Sequence, residues 1–254
     1  MQTEWQETLG GKVRLIAGGT SYGRYKAGLE IVLDEGWKTY WKIPGDSGIP
    51  PVLDGAASGN VADMDILWPV PSRIKVGQSE ILGFKHAIIF PILVTPKAKD
   101  QPTRLAINVQ LGLCSDLCVP MAADLSLDIP AGGSRAPGVE LLIDRDMALV
   151  PVAASDGFKI TKISHDKGQD GKPDRLVITT RIPDGYGEKD LFVEGPKDWL
   201  LPLTVKQPSA KVSDQQFALT LDGLPEGGQS KGTDLRFTLT NGEEAVEQVI
   251  TLQK

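Results

Sequence analysis

The chain has 254 residues, of which 41% are hydrophobic and 24% charged, a composition typical of a globular protein with one large domain or two of ordinary size. Its net charge of −6, with neither half of the chain basic, argues against a nucleic-acid partner or an anionic membrane surface. No apolar run reaches the about 20 residues of a membrane helix, and no signal peptide is predicted, a pattern that an exported protein without its leader would share.

Short runs rich in β-branched and aromatic residues predict strands in the first half of the chain. They are Tyr25–Leu33, Trp37–Ile43, Val61–Trp68, Phe84–Val94, Arg104–Leu113 and Ala122–Ile129. In the fifth run every second residue is apolar, which is the period of a strand with one buried face. Glycine and proline separate the runs, and this spacing favours a β-sandwich.

The second half of the chain also predicts short strands, which follow a linker and a helix. Residues 131–137, rich in Gly, Ser and Pro, predict a linker, and Val139–Val150 predicts a short connecting helix. Seven further runs predict a second sandwich, and Asn241-Gly242 between the last two predicts a two-residue hairpin turn. The runs are Phe158–Ser164, Arg175–Arg181, Asp190–Glu194, Leu203–Lys206, Gln216–Leu221, Leu235–Thr240 and Ala245–Leu252. The prediction is an all-β chain with domains at 1–130 and 155–254, joined by 131–154.

Cys114 and Cys118 are the only cysteines. The first ends a predicted strand and the second begins the next, so the chain reversal can bring them within disulfide distance. Such a small loop adds little entropic stabilisation, which favours a chemical role for the pair, although a purely structural pair remains possible. Since no helix follows to activate a thiol, we expect reactivity to depend on exposure and on contact with a partner.

A metal site is an alternative interpretation of the same sulfurs. Cys114 and Cys118, with Met121 and either His86 or His165, offer soft ligands suited to Cu(I). A lone histidine on a strand is more often a surface or core residue than a ligand. No metal ligand and no cofactor is therefore assigned, and a copper-binding or copper-protective module is kept as the alternative function.

Two adjacent aromatic residues, Tyr40 and Trp41, must face opposite sides of their predicted strand, so one of them can shield a disulfide while the other packs in the core. The rigid segment Pro44–Pro51 fits either a loop that shapes a site or a structural corner. Phosphate-binding loops, zinc-type histidine spacing and a serine nucleophile elbow are absent from the sequence, which argues against a hydrolase.

Three motifs in this order resemble the N-terminal periplasmic domain of the DsbD family of thiol:disulfide interchange proteins. They are Trp37–Pro51, Trp68–Pro71 and Cys114–Pro120. The three-residue spacer between the cysteines resembles the ScsB branch, which is associated with suppression of copper sensitivity. The resemblance covers about residues 10–130. Over residues 155–254 it rests only on the second immunoglobulin-like domain that ScsB-like proteins carry.

The resemblance implies two immunoglobulin-like β-sandwich domains and a role as a protein-disulfide reductase component. Such a module takes electrons from a membrane-embedded DsbD/ScsB-type domain and passes them to periplasmic thioredoxin-like proteins. Cys118 would form the mixed disulfide with the partner, and Cys114 would resolve it. The implied location is the periplasm of a Gram-negative bacterium, as the ectodomain of a membrane protein or with a separate membrane partner.

The resemblance also implies groups that shield the disulfide. A cap loop would fall within Lys75–Phe84, with Ile81, Leu82 and Phe84 as candidate shielding residues, and Tyr40 matches a family aromatic near the disulfide. Residues 155–254 contain no cysteine and no recognisable site, which favours a spacer or docking platform.

Overall fold

The computed structural model describes the chain apart from residues 46, 170–171, 186, 209–213, 226–229 and 254. It divides into two compact units, Met1–Val150 and Pro151–Lys254. Each unit contains two β-sheets, which confirms the predicted all-β fold class with two immunoglobulin-like sandwiches. In the described part of the chain, none of the helices has the length and apolar character needed to cross a membrane.

The described part of the first unit contains strands β1 to β11. Their bounds are β1 Gln6–Thr8, β2 Gly11–Ser21, β3 Arg24–Leu33, β4 Lys38–Gly45, β5 Val52–Asp54, β6 Val61–Ile66, β7 Ser72–Val76, β8 Ser79–Lys85, β9 Ala87–Pro96, β10 Thr103–Cys114 and β11 Cys118–Ile129. One sheet has the order β1-β2-β3-β9-β6 and the other β11-β10-β4-β8-β7, with β5 paired to β10.

Strand β10 shows why this sequence forms a sandwich. Its alternate residues Leu105, Ile107, Val109, Leu111 and Leu113 are all buried, as the period-two pattern predicts. Burying each such side chain contributes about 1.5–3 kcal/mol, so the register of the strand is strongly determined. Cys114 lies on the opposite face of β10.

The run Phe84–Val94 is not one strand, as predicted, but parts of two strands in different sheets. Residue Lys85 ends β8, and Ala87 begins β9. His86 between them has φ 65°, in the left-handed region, and there the chain crosses from one sheet to the other. The pattern misleads because both strands are apolar and only one residue separates them.

A single described helix, α1 (Pro137–Met147), belongs to the first unit. Proline at its first position suits a helix start, because the missing N–H would have no partner inside the helix. Ile143 is fully buried on the outer face of the first sheet. The Lys26 ammonium on β3 lies 2.7 Å from the Glu140 carboxylate and 2.8 Å from that of Asp144, which holds the helix against the strand.

The second unit contains strands β12 to β19 in its described residues. Their bounds are β12 Val152–Ala153, β13 Lys159–Asp166, β14 Arg175–Arg181, β15 Asp190–Glu194, β16 Val205–Gln207, β17 Asp214–Thr220, β18 Asp234–Thr240 and β19 Ala245–Thr251. The two sheets have the orders β12-β19-β18-β15 and β13-β14-β17-β16. Phe217 and Phe237, one from each sheet, are fully buried in its core.

The predicted two-residue turn at Asn241-Gly242 is wrong. Thr240 pairs with Ala245, so four residues connect the two strands. The Asn241 side-chain carbonyl accepts hydrogen bonds from the backbone N–H groups of Glu243 and Glu244, at 3.1 and 2.8 Å. This side-chain-to-backbone bonding stabilises the longer connection, and the dipeptide signal alone does not reveal it.

Candidate functional site

The two cysteines lie at the end of the β10–β11 hairpin. Cys114 is the last residue of β10 and Cys118 the first of β11, and the two are directly paired with their Cα atoms 4.1 Å apart. Their sulfur atoms form a disulfide bond. The Ser115 N–H donates to the Leu117 carbonyl at 2.9 Å and closes the three-residue connection. The long β10–β11 ladder therefore holds the pair at a rigid position.

The two sulfurs differ sharply in accessibility. Cys114 is 1% exposed, whereas Cys118 is exposed, as are Asp116 and Leu117 beside it. Thiol–disulfide exchange begins with attack by a thiolate on one sulfur, so access decides which sulfur can react. A partner can approach Cys118, and such an attack makes the buried Cys114 the leaving group.

Tyr40, on β4, contacts both sulfurs. Its hydroxyl donates to Cys114 Sγ at 2.9 Å and lies 3.6 Å from Cys118 Sγ. Burial raises the pKa of Tyr40 above its ordinary value, so the phenol stays protonated and able to donate. Its neighbour Trp41 points to the other face of the strand and is fully buried. Of the two adjacent aromatics, Tyr40 therefore lies at the disulfide.

Two glycines let the Tyr40 ring lie close to the backbone. A Cβ added at Gly112 would stand 3.1 Å from a ring carbon, and one added at Gly48 would stand 2.4 Å from another. Gly48 also has φ 146°, which favours glycine. Ile49 lies against Gly112 as well. Of Pro44–Pro51, the first two residues end β4, and the described residues after them form a loop that packs on the site.

The remaining contacts to the buried cysteine come from the β7–β8 hairpin. Ile81 and Ile74 form a small cluster with Tyr40 and Cys114, and all four are buried. Ile81 is one of the predicted shielding residues, whereas Ile74 is not predicted from the sequence. Alternation along the strands explains the pair, because residues two apart or directly opposite share one face.

The segment expected to be a cap loop is a β-hairpin. Most of Lys75–Phe84 lies in the paired strands β7 and β8, whose turn passes through Gly77 with φ 60°. Leu82 and Phe84 are buried, but they are not in the cluster with Cys114. Phe84 meets the Phe90 ring edge-on at 5.5 Å. A strand presents only every second side chain to one face, which explains why Ile81 reaches the disulfide cluster and its neighbour does not.

Lys38 is a second residue at the site that is not predicted from the sequence. It begins β4, pairs directly with Cys114, and is only 9% exposed. Its Nζ donates to the Ser115 carbonyl at 3.1 Å, inside the cysteine connection. The sequence feature that could identify Lys38 is its position two residues before Tyr40, which places both side chains on the same face of the strand.

The other residues considered as copper ligands do not join the sulfurs. Met121 is buried and follows Cys118 by three positions, so the two side chains leave opposite faces of β11. His86 is exposed at the crossing between sheets, and His165, in the second unit, lies 2.9 Å from Asp174. Among the described residues, no three His, Cys, Asp or Glu side chains converge as a metal site.

Comparison with known proteins agrees with this geometry. Residues 16–130 match the family described as "Thiol:disulfide interchange protein DsbD, N-terminal". Residues 16–130 therefore form a DsbD-type N-terminal domain. The disulfide hairpin lies inside the match, so this DsbD-type domain is a thiol:disulfide interchange module. Residues 149–254 match a family described only as a domain of unknown function.

One solved structure shares the fold over both units. The N-terminal periplasmic domain of ScsB from Proteus mirabilis is 24% identical in sequence and superposes with a TM-score of 0.74. The match covers 100% of this chain and 98% of that one. A search of curated proteins finds no match to this sequence.

Proposed function

We propose that the DsbD-type domain relays electrons from a membrane-embedded donor to periplasmic thioredoxin-like proteins and so acts as a protein-disulfide reductase component. The observation that carries this proposal is the contrast between exposed Cys118 and buried Cys114. A purely structural disulfide has no need of one exposed sulfur and of a hydroxyl group directed at the other. The periplasmic origin of the ScsB domain with the same fold supports the location.

The exchange starts when a thiolate of the donor attacks Cys118 Sγ. The Cys114–Cys118 bond breaks, and its electron pair leaves on Cys114 as a thiolate. A second donor thiolate then attacks the donor sulfur of the mixed disulfide. This step releases Cys118 as a thiolate and leaves the donor oxidised, with two electrons transferred to the cysteine pair.

The transfer to the acceptor uses the same sulfurs in the opposite order. The Cys118 thiolate attacks the disulfide of a thioredoxin-like protein and releases one acceptor thiolate. Cys114 then attacks Cys118 Sγ, which restores the Cys114–Cys118 disulfide and releases the reduced acceptor. Cys118 is thus the contact sulfur and Cys114 the resolving sulfur.

The groups around the pair have distinct roles in this scheme. Tyr40 donates a hydrogen bond to Cys114 and stabilises it as a leaving thiolate, since charged acceptors gain most from such a donor. Ile81 covers the buried sulfur. Exposed Leu117 in the cysteine connection and Ile49, which lies against Gly112, supply apolar surface near the disulfide, which suits contact with a protein partner.

Trapping the mixed disulfide tests the relay. In a Cys114→Ala variant the resolving thiol is missing, so we expect Cys118 to accumulate disulfides with periplasmic thioredoxin-like proteins, visible on non-reducing gels. Cys118→Ala is the matched control and is expected to trap none, because its remaining thiol is buried. No adduct in either variant, together with a pair that dithiols cannot reduce, would refute the relay.

An anaerobic Cu(I) titration of the reduced protein separates the relay from the copper alternative. Tight stoichiometric binding that is lost in Cys118→Ala, without any trapped partner, would favour a copper-binding module. For the second unit we propose the role of a spacer or docking platform. Deleting it is expected to leave the dithiol chemistry of the first unit unchanged.

A further inference from the structure

Lys38 is a buried cation beside the disulfide that the exchange scheme leaves unused. Its Cα is paired with that of Cys114 across β4 and β10, so the two side chains leave the same face of the sheet. Its ammonium donates to the carbonyl of Ser115, the residue that follows Cys114. The charge therefore lies beside the connection between the two cysteines, whose disulfide the reaction breaks.

Within the described residues, Lys38 bonds the Ser115 carbonyl and no carboxylate lies within ion-pair distance of it. A buried charge is costly unless an opposite charge or several hydrogen bonds compensate it. Reduction creates such a partner, since Cys114 leaves as a thiolate next to this residue.

We propose that Lys38 is a positioning residue that holds the cysteine hairpin through the Ser115 carbonyl and stabilises the Cys114 thiolate of the reduced pair by its charge. The inference rests on the relay proposed above and adds a second stabilising group to Tyr40. It also explains how Cys114 can become a thiolate without a helix N-terminus, because a neighbouring lysine favours the charged form of a thiol.

The other charged groups that face the hairpin differ from Lys38 in exposure. Lys85 on β8 is directly paired with Lys38 but is exposed, and Asp116 within the cysteine connection is exposed as well. Tyr40 is buried and neutral. Exposed charges are screened by water and salt, so the buried ammonium has the larger effect on the sulfur.

Titration of Cys114 in a Cys118→Ala background tests this role. The ultraviolet absorbance of the thiolate as a function of pH reports the ionisation of Cys114, which is too buried for alkylation. In Lys38→Met, whose side chain is similar in length but uncharged, we expect the midpoint to rise by about one pH unit, or about tenfold less thiolate at a fixed lower pH. Lys38→Arg is expected to restore most of this loss, and the matched control Lys85→Met to shift much less.

Equal midpoints in Lys38→Met and the parent, or equal shifts in the Met and Arg variants, would overturn the inference. If Lys38→Met does not fold, Lys38→Gln tests the effect of the charge instead, because its amide can still donate a hydrogen bond but carries no charge. Its midpoint is expected to rise as well. A pair that cannot be reduced refutes the relay itself, whereas a reducible pair with a Cys114 midpoint that is insensitive to residue 38 refutes only the role of Lys38.

Discussion

Removing the Tyr40 hydroxyl is the most direct test of how the site controls its sulfurs. In Tyr40→Phe the ring can remain in its contacts with the glycine backbone, and only the 2.9 Å hydrogen bond to Cys114 Sγ is lost. Such a bond contributes about 1.5–3 kcal/mol to a charged acceptor and about 0.5–1.5 kcal/mol to a neutral one. The reduced form with a Cys114 thiolate therefore loses more than the oxidised form.

The difference between the two forms is about 1–1.5 kcal/mol, and a two-electron couple changes by about 30 mV for each 1.4 kcal/mol. We expect the reduction potential of Tyr40→Phe to be about 20–30 mV more negative at pH about 9, where a thiol of ordinary pKa is ionised. The phenol is still protonated there, because burial raises the pKa of Tyr40. At pH about 6, where ordinary thiols are neutral, the shift is expected to be small.

Equilibration with dithiothreitol buffers, read by gel shift of alkylated protein, measures this potential. Tyr25→Phe is a matched control, because Tyr25 is also buried in the first unit but its hydroxyl accepts from the Gly132 N–H instead of donating to a sulfur. An unchanged or less negative potential in Tyr40→Phe at the higher pH, or the same change at both pH values, would contradict the role assigned to the hydroxyl.

Two further predictions concern the partner surface and alkaline stability. Leu117→Ser is expected to slow exchange with a thioredoxin-like protein by about threefold to tenfold, since part of a leucine burial energy is lost at the contact, while the potential stays unchanged. Leu141→Ser on the exposed face of α1 is the control, and equal rates in both variants would argue against contact at Leu117. The unfolding free energy of the parent is expected to fall as pH rises from about 10 towards the raised pKa of Tyr40, because the folded state keeps a proton that the unfolded chain releases. Urea denaturation at pH about 9 and about 11 checks this, and Tyr40→Phe, if it falls equally, would show that another group is responsible.

Much of the sandwich architecture can be predicted from local patterns. The alternation along β10 identifies its buried face, and the two cysteines mark the hairpin at its end. Strand β2 is not predicted, because its glycines and polar residues interrupt the alternation of apolar residues. The change of sheet at His86 is not predicted either, since it requires only one residue with positive φ.

The expected cap loop shows the limit of local patterns. Glycine at position 77 indicates a turn, but the pairing of β7 with β8 depends on how both strands join the sheet. That pairing decides that Ile81 and Ile74 face the disulfide, whereas Leu82 and Phe84 do not join that cluster. Register is a property of the assembled sheet, and a shift of one residue would exchange the two faces.

The sequence by itself located the candidate site of this protein: an isolated cysteine pair between two strands, with a tyrosine and a tryptophan that must face opposite ways. Only the tertiary structure decided the unequal exposure of the two sulfurs. Cys114 is buried because residues from β4, β7 and β8 cover it, and the Tyr40 hydroxyl that reaches it comes from 74 positions earlier in the chain. Exposure and hydrogen bonding at a sulfur depend on residues that are distant in the sequence. Lys38 is also distant in the sequence, and the fold brings its ammonium to the hairpin.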